Sequence, residues 1–424
     1  MLKNINTQSG ISDRPKGCGP LLHRDKLNEP PLRQQVFQHV RASGRATRTD
    51  ITRALDISAG SATTLTADLI ASGMLEEVSE PEREMGRGRP PVALQIVPNV
   101  AYVIGIKLTF KQHSAVLSDF AGNPVATAIL PTTDKRRSAP KMVDEIANLI
   151  NLLVEQSKIP IHKIKAVGVG LPGIVNHTSG TITWSSLLQN RNEDLRAAFS
   201  KKFDIPLFLD NDTNMLTLAE LWFGVGRDMT DFAVVTIEDG VGMGLVVNNQ
   251  LFRGSHGIGL ELGHTKVQLD GALCRCGQRG CLEAYLADYA LTREAATALD
   301  HGNADPKEPE ELLDLLFQKA TAGHVAASTI FRRAGRFLSV GLSNVVQLFD
   351  PPLIILSGKR MQYNYLYADT VLAEMKKLTL SEGRQPCEIA IHPWDDFVWA
   401  RGATAPALSA LTDTLVGGLE VQNL

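Results

Sequence analysis

His264 is followed ten residues later by Cys274, and the run from Cys274 to Cys281 reads Cys-Arg-Cys-Gly-Gln-Arg-Gly-Cys. One imidazole and three thiolates (His264, Cys274, Cys276 and Cys281) make a closed tetrahedral donor set that suits a structural Zn²⁺. Gly277 and Gly280 allow the loop to turn tightly enough to return Cys281 to the metal. All four positions are filled by protein, so the expected role is to fix a loop, one zinc per chain. Glu283 lies two residues beyond Cys281, and the same loop would position its carboxylate. The chain has five cysteines, of which Cys18 and Cys387 stand apart. An odd, clustered count without a secretion-type leader argues for metal rather than disulfides.

A second group of residues could read DNA. Between Ser58 and Ser72 the outward positions of a helical pattern are Ser58, Gly60, Ser61, Thr63, Thr64 and Thr66. Short hydroxyl side chains on an exposed helix face can reach phosphates or base edges. Arg41, Arg45, Arg48 and Arg53 precede that helix, where phosphate contacts would set its register. Beyond it, Gly86-Arg87-Gly88-Arg89-Pro90-Pro91 carries two arginines one Gly apart, and Arg-Gly-Arg-Pro resembles an AT-hook core. In extended form Arg87 and Arg89 would lie along a narrow minor groove.

The elements that must carry these groups can be read from periodicity. Residues 1–28 are polar and aperiodic, and are expected to be a disordered tail. Val36, Phe37 and Val40 share one helical face ended by Gly44. Thr47 or Thr49 could cap a second helix bearing Ile51, Ala54 and Leu55. A third helix turns Ala62, Leu65, Leu69 and Ile70 inward. Strand-like Met74–Val78 and Val92–Val97 flank the charged loop. Three helices plus a two-stranded wing predict a winged helix-turn-helix over 29–97, with the boundary at Pro98-Asn99. From there strands and helices alternate: a hairpin from Tyr102–Leu108 and Ser114–Leu117, a helix over Met142–Gln156, strands at Ala166–Val169, Leu207–Leu209, Phe232–Ile237, Gly244–Val247 and Leu353–Leu356. This βαβ alternation, run twice, predicts an α/β domain of two lobes over 98–424.

Glu261-Leu262-Gly263-His264, the three cysteines and Glu283 together resemble the signature of the ROK family (repressors, uncharacterised frames and sugar kinases). The resemblance spans nearly the whole chain. It implies a winged helix-turn-helix followed by a two-lobed, sugar-kinase-like domain of the actin/hexokinase type with a structural zinc loop. By position, the family's sugar-contacting residues fall on Asn211, Asp212, Glu261, His264 and Glu283. Carboxylates and amides suit a ring of hydroxyls, each both donor and acceptor. His264 would give one ring nitrogen to zinc and the other to a sugar hydroxyl. Asp212 matches the family's catalytic base, so an active or bifunctional ATP-dependent sugar kinase is the alternative function.

The nucleotide loops argue against that alternative. Kinases of the family carry an early Asp-x-Gly-Gly-Thr. Here Gly105-Ile106-Lys107-Leu108-Thr109-Phe110-Lys111 puts Lys107 at the Asp position and Thr109 and Phe110 at the Gly positions. In the second loop, Glu238-Asp239-Gly240-Val241-Gly242-Met243-Gly244, two acidic residues would face a triphosphate. Gly240, Gly242 and Gly244 are read as turn glycines, and Asp212 as a vestigial base. The expected function is therefore a non-enzymatic regulator of carbohydrate genes, most simply a repressor of operator DNA as a homodimer or homotetramer. A sugar or sugar phosphate bound between the lobes would alter the spacing of two winged helices.

Composition fits this reading. Hydrophobic residues are 44% and charged residues 21%, with net charge -3. The charge is uneven: residues 1–92 hold 13 Lys/Arg against 11 Asp/Glu. No apolar run is long enough for a bilayer and no signal-peptide core is evident, so a cytoplasmic protein without membrane insertion is expected.

Overall fold

The computed structural model describes residues 3–4, 17–21, 29–79, 92–133, 135–255, 257–299, 308–363, 368–380 and 382–418. They form two compact units. One unit contains the described residues from 17 to 230, Asn248–Leu251 and those from Asp396 onward. The other contains Asp231–Val247 and Phe252–Asp395 with the short strand Lys3–Asn4.

The first unit begins with three helices: α1 (Leu32–Ser43), α2 (Arg48–Leu55) and α3 (Ala59–Ala71). α1 buries Val36, Phe37 and Val40 and stops at Gly44, whose φ of 73° an L side chain would resist. Of the two threonines that could cap α2, Thr47 does so. Its hydroxyl accepts from Asp50 N–H while the Asp50 carboxylate accepts from Thr47 N–H, a reciprocal capping box. Ser58 caps α3 through Ser61 N–H. Strands Leu75–Ser79 and Val92–Ile96 pair antiparallel, and a two-residue strand, Ala46–Thr47, adds to the other side of Val92–Ile96. That third strand is too short to show any alternation in sequence.

Next comes a five-stranded sheet in the order Leu207–Asn211, Ile164–Leu171, Tyr102–Lys107, Gln112–Asp119, Pro124–Pro131. The expected hairpin is present, and its second strand pairs with Pro124–Pro131, which sequence reasoning passed over because most of its side chains are exposed or half-exposed. Ile104 and Ile106 turn to one face, where Ala139–Ser157 covers them with Met142, Ile146 and Ile150. Gly105 and Gly168 turn to the other face. A Cβ on either would lie 1.9 or 1.8 Å from the carbonyl oxygens of Ala400 and Ala403. The missing side chains let the C-terminal helix Val398–Leu415 lie backbone-close on the sheet.

In the second unit, strands run in the order Glu388–His392, Leu353–Ser357, Phe232–Ile237, Val241–Val247. The first three are mutually parallel and the last is antiparallel. Helices Pro309–Thr321, Val325–Phe349 and Asp369–Leu378 supply the apolar cover, through Leu316, Phe331, Leu338 and Met375 among others.

Two expectations need correction. Part of the expected tail is packed: Cys18 is buried, and residues 17–21 hydrogen-bond within the first unit. Residues 29–97 and the sheet after Pro98 lie in the same compact unit. Gly240 lies in the turn that joins Phe232–Ile237 to Val241–Val247, as expected, but Gly242 and Gly244 lie inside the second strand and without positive φ, so a tight turn does not explain them. Residues 80–91, with Arg87 and Arg89, lie outside the described residues.

Candidate metal centre and effector-contacting residues

His264 closes the short turn Leu262–His264, which starts at Glu261. The chain then forms a knuckle. Gly277 N–H bonds to Cys274 O, Cys274 N–H bonds to Gln278 O, and Lys266 bridges to Cys281. Gly280 has φ 75°, and a Cβ there would sit 1.7 Å from Gln268 O. The knuckle rests on Tyr285, whose hydroxyl accepts from Ala272 N–H and whose ring stacks on Phe337 at 3.8 Å.

The four candidate metal-binding side chains converge, their ligand atoms all within 4.8 Å of one another. Cys276 Sγ and Cys281 Sγ are 3.7 Å apart, as are Cys274 Sγ and His264 Nδ1. Two sulfurs at about 2.3 Å from one tetrahedral ion would be about 3.7–3.8 Å apart. The donor set and its spacing therefore fit a four-coordinate, soft-ligand metal. Burial pushes the Cys274 thiol up to about 12, so a neutral thiol is favoured there unless a cation replaces its proton. Lys266 Nζ donates to Cys281 Sγ at 2.9 Å, placing a cationic side chain beside the sulfur cluster.

His264 presents Nδ1 to the sulfurs and turns Nε2 toward Glu261 Oε2, 4.0 Å away. Glu261 is exposed. Glu283 begins a single helical turn, Glu283–Leu286. Its Oε2 accepts from Val241 N–H (3.4 Å), while Oε1 faces Tyr289 OH and Cys274 Sγ at 3.5 and 3.6 Å. Glu283 thus ties the knuckle to the glycine-rich loop within one unit. Also in that unit, Asp288 N–H bonds to Glu238 O, and Asp288 holds Arg360 through three hydrogen bonds. Burial, then the charges of Asp239 and Glu238, raise the Asp288 carboxyl despite that arginine.

In the other unit, Asn211 is the N-cap of helix Asp212–Phe223. Its Oδ1 accepts from Thr213 N–H and its Nδ2 donates to Gly173 O. One amide hydrogen is left over from these bonds. Asp212 is half-buried in the first turn and accepts from Thr213 N–H. Lys107 Nζ sits 3.3 Å from the centroid of the Trp399 ring. The hairpin after it is closed internally: Thr109 N–H donates to His113 Nδ1, Gln112 N–H to Thr109 Oγ1, and Thr132 Oγ1 to Phe110 O.

The candidate DNA-reading residues divide. Ser61, Thr63 and Thr64 are exposed on α3, as is Ser58 at its cap. Thr66 is buried and bonds back to Ala62 O. Arg48 is engaged inside the module, donating to Thr66 Oγ1 and to Glu77. Arg45 donates to Gln95, and Arg53 is exposed. Arg41 is 3% exposed and cannot reach a phosphate. Sequence reading missed its role because a lone arginine in a helical pattern looks solvated. The buried Cys18, which the sequence left without a role, was the sign that something packs there.

A model of the ROK family matches residues 104–409. A xylose repressor of Caldicellulosiruptor bescii is 28% identical over 327 residues, 76% of this chain and 81% of its own length. A glucokinase of Streptomyces coelicolor is 29% identical over 295 residues, 67% of this chain and 90% of its own. The crystal structure of a ROK family transcriptional regulator, a homologue of the E. coli Mlc protein, superposes with TM-score 0.75 at 22% identity, covering 91% of this chain and 96% of that one. Residues 98–424 are only about three-quarters of the chain, so that superposition includes part of the three-helix module.

Proposed function

The chain belongs to the ROK family, and from that premise we propose that it is a cytoplasmic, sugar-responsive repressor of carbohydrate genes that binds operator DNA as a homo-oligomer. The observation that carries this reading is the three-helix module with its antiparallel wing, fused ahead of the family domain and exposing Ser61, Thr63 and Thr64 on α3. We read that module as a winged helix-turn-helix with α3 as its recognition helix. Ser58, Arg45 and Arg48 assist at its borders, and Arg87 and Arg89 are proposed minor-groove contacts. Arg48 holds α3 against the wing strand, so its contribution is geometric as much as electrostatic.

The proposed effector is a sugar or sugar phosphate contacted by Asn211, Asp212, Glu261, His264 and Glu283. We assign Zn²⁺ to His264 Nδ1, Cys274, Cys276 and Cys281. The ion supplies a structural staple that holds the knuckle. His264 then keeps Nε2 for a ligand hydroxyl, and Glu283 is oriented by its bond to Val241 N–H. A bound sugar must favour one of two states of the oligomer that differ in half-site geometry, or operator affinity cannot change.

A kinase is the second reading, favoured by Asp212 at the position of the family's base and by the glucokinase relative. Against it stand the Thr109 N–H committed to His113, Lys107 seated on Trp399, and the acidic Glu238–Asp239 pair beside Asp288. Each opposes cradling a triphosphate. Footprinting the DNA upstream of the chain's own gene, beside an assay of ATP-dependent phosphorylation of hexoses, tests the two together. Protection of a palindromic site without phosphorylation is expected. Phosphorylation abolished in Asp212→Ala would replace this reading with the kinase.

A further inference from the structure

Helix Asp212–Phe223 starts at two of the proposed sugar-contacting residues and ends against the DNA-reading module. Its twelve residues span about 18 Å, and Met215 to Trp222 are all buried. Gly170 and Gly402 allow neighbouring backbone to close on it: a Cβ on Gly402 would lie 1.8 Å from Met215 O. Such a helix moves as a rod, not as a spring.

At its far end the Trp222 ring lies 4.8 Å from the Arg41 guanidinium of α1, and Phe37 flanks the same group at 5.6 Å. Trp222 O accepts from Gly19 N–H, and Arg41 O accepts from Cys18 N–H. Residues 17–21 therefore clamp the end of this helix to α1. The clamp is tight: a Cβ on Gly17 would lie 2.2–2.4 Å from backbone atoms of Arg41, Ala42 and Gly44. Arg227 fastens the other side, donating to Gly19 O and to Ala42 O. Arg41 Nη1 donates to Thr412 Oγ1 on the C-terminal helix, while its buried Nε has no hydrogen-bond partner among the described residues. Arg33 continues the path: it donates to Val416 O and to Asp68 and Ser72 at the end of α3.

We propose that helix Asp212–Phe223 is the strut by which a bound sugar acts on the recognition helix, with Trp222 and Arg41 as its joint. The proposal rests on the reading of Asn211 and Asp212 as sugar contacts. A sugar that shifts the first turn shifts Trp222 with it, and α1 and α3 follow through Arg41 and Arg33. The incompletely bonded guanidinium suits a joint, since it can be re-seated where a dry apolar contact could not. Trp222 and Arg41 are positioning residues and touch neither ligand.

The test uses the full chain, its own upstream DNA, and D-xylose, D-glucose, N-acetylglucosamine and their phosphates as probes. Calorimetry reads sugar affinity, anisotropy reads DNA affinity with and without sugar, and amide exchange reads Leu32–Ser43. In the wild type the effective sugar should change DNA affinity about tenfold or more and alter exchange in Leu32–Ser43. Trp222→Leu should keep sugar affinity within about threefold while the sugar's effect on DNA falls below about twofold. Thr412→Val, which removes one hydroxyl, decides the matter if Trp222→Leu does not fold, and should weaken the sugar effect while both ligands still bind. An unchanged sugar effect in both variants overturns the strut alone. Absence of any sugar binding by the wild type overturns the sensing function, and the strut with it.

Discussion

His264 Nδ1 lies 3.7 Å from Cys274 Sγ, while Nε2 of the same ring points to the Glu261 carboxylate. One imidazole thus faces a sulfur cluster and a polar, accessible side at once. A metal at the cluster would fix the tautomer that presents Nε2–H outward.

Metal analysis of the purified chain should find one zinc per chain. Cys281→Ser should lose it and melt several degrees lower, because structural zinc contributes folding free energy on the order of several kcal/mol. Retention of full stability after complete zinc removal would contradict a structural role.

Glu283→Gln keeps an acceptor for Val241 N–H but removes the charge. Zinc content should be unchanged, and sugar affinity, read by calorimetry, should fall roughly 10- to 100-fold. Unaltered sugar affinity would remove Glu283 from the effector site.

Thr64→Glu places a carboxylate on the exposed face of α3, away from the core. Operator affinity at fixed salt should drop by about 1–3 kcal/mol, with sugar affinity unmoved. Normal operator binding would mean α3 is not the recognition helix.

His113 is fully buried, accepts from Thr109 N–H and pairs through Nε2 with Glu145. Burial lowers its pKa, against the pull of Glu145. The folded state then resists protonation more than the unfolded chain does. Stability is complete above the ordinary histidine value of about 6.5 and is lost as pH falls from there toward the lowered value. Denaturant melts from pH 7.5 to 5 should show that loss, with a slope of up to about 1.4 kcal/mol per pH unit. His113→Gln should flatten it, and an identical profile in the variant would contradict the assignment.

Much of this was readable before the fold was seen. The Cys-x-Cys-Gly-x-x-Gly-Cys spacing defines the knuckle because its geometry is local, and Val36, Phe37 and Val40 mark α1 because their periodicity is local too. What was hidden depends on distant pairing. Arg41 reads as a surface charge until Trp222, 181 positions away in sequence, covers it. Glu283 reads as a carboxylate set by the cysteine loop, but nothing local shows that it accepts from Val241 N–H, 42 positions earlier. Gly105 and Gly168 carry no sign of the C-terminal helix that lies on them, since that helix begins 230 or more residues beyond either.

Whether sugar occupancy controls DNA affinity is decided by a titration. Labelled DNA from upstream of the chain's own gene is bound by the full-length protein at one fixed salt concentration, and sugars and sugar phosphates are added in turn. Specific binding that one of them weakens, by about tenfold or more at saturation, is expected. Specific binding that no sugar alters, or sugar binding without specific DNA binding, would rule out sugar control of an operator.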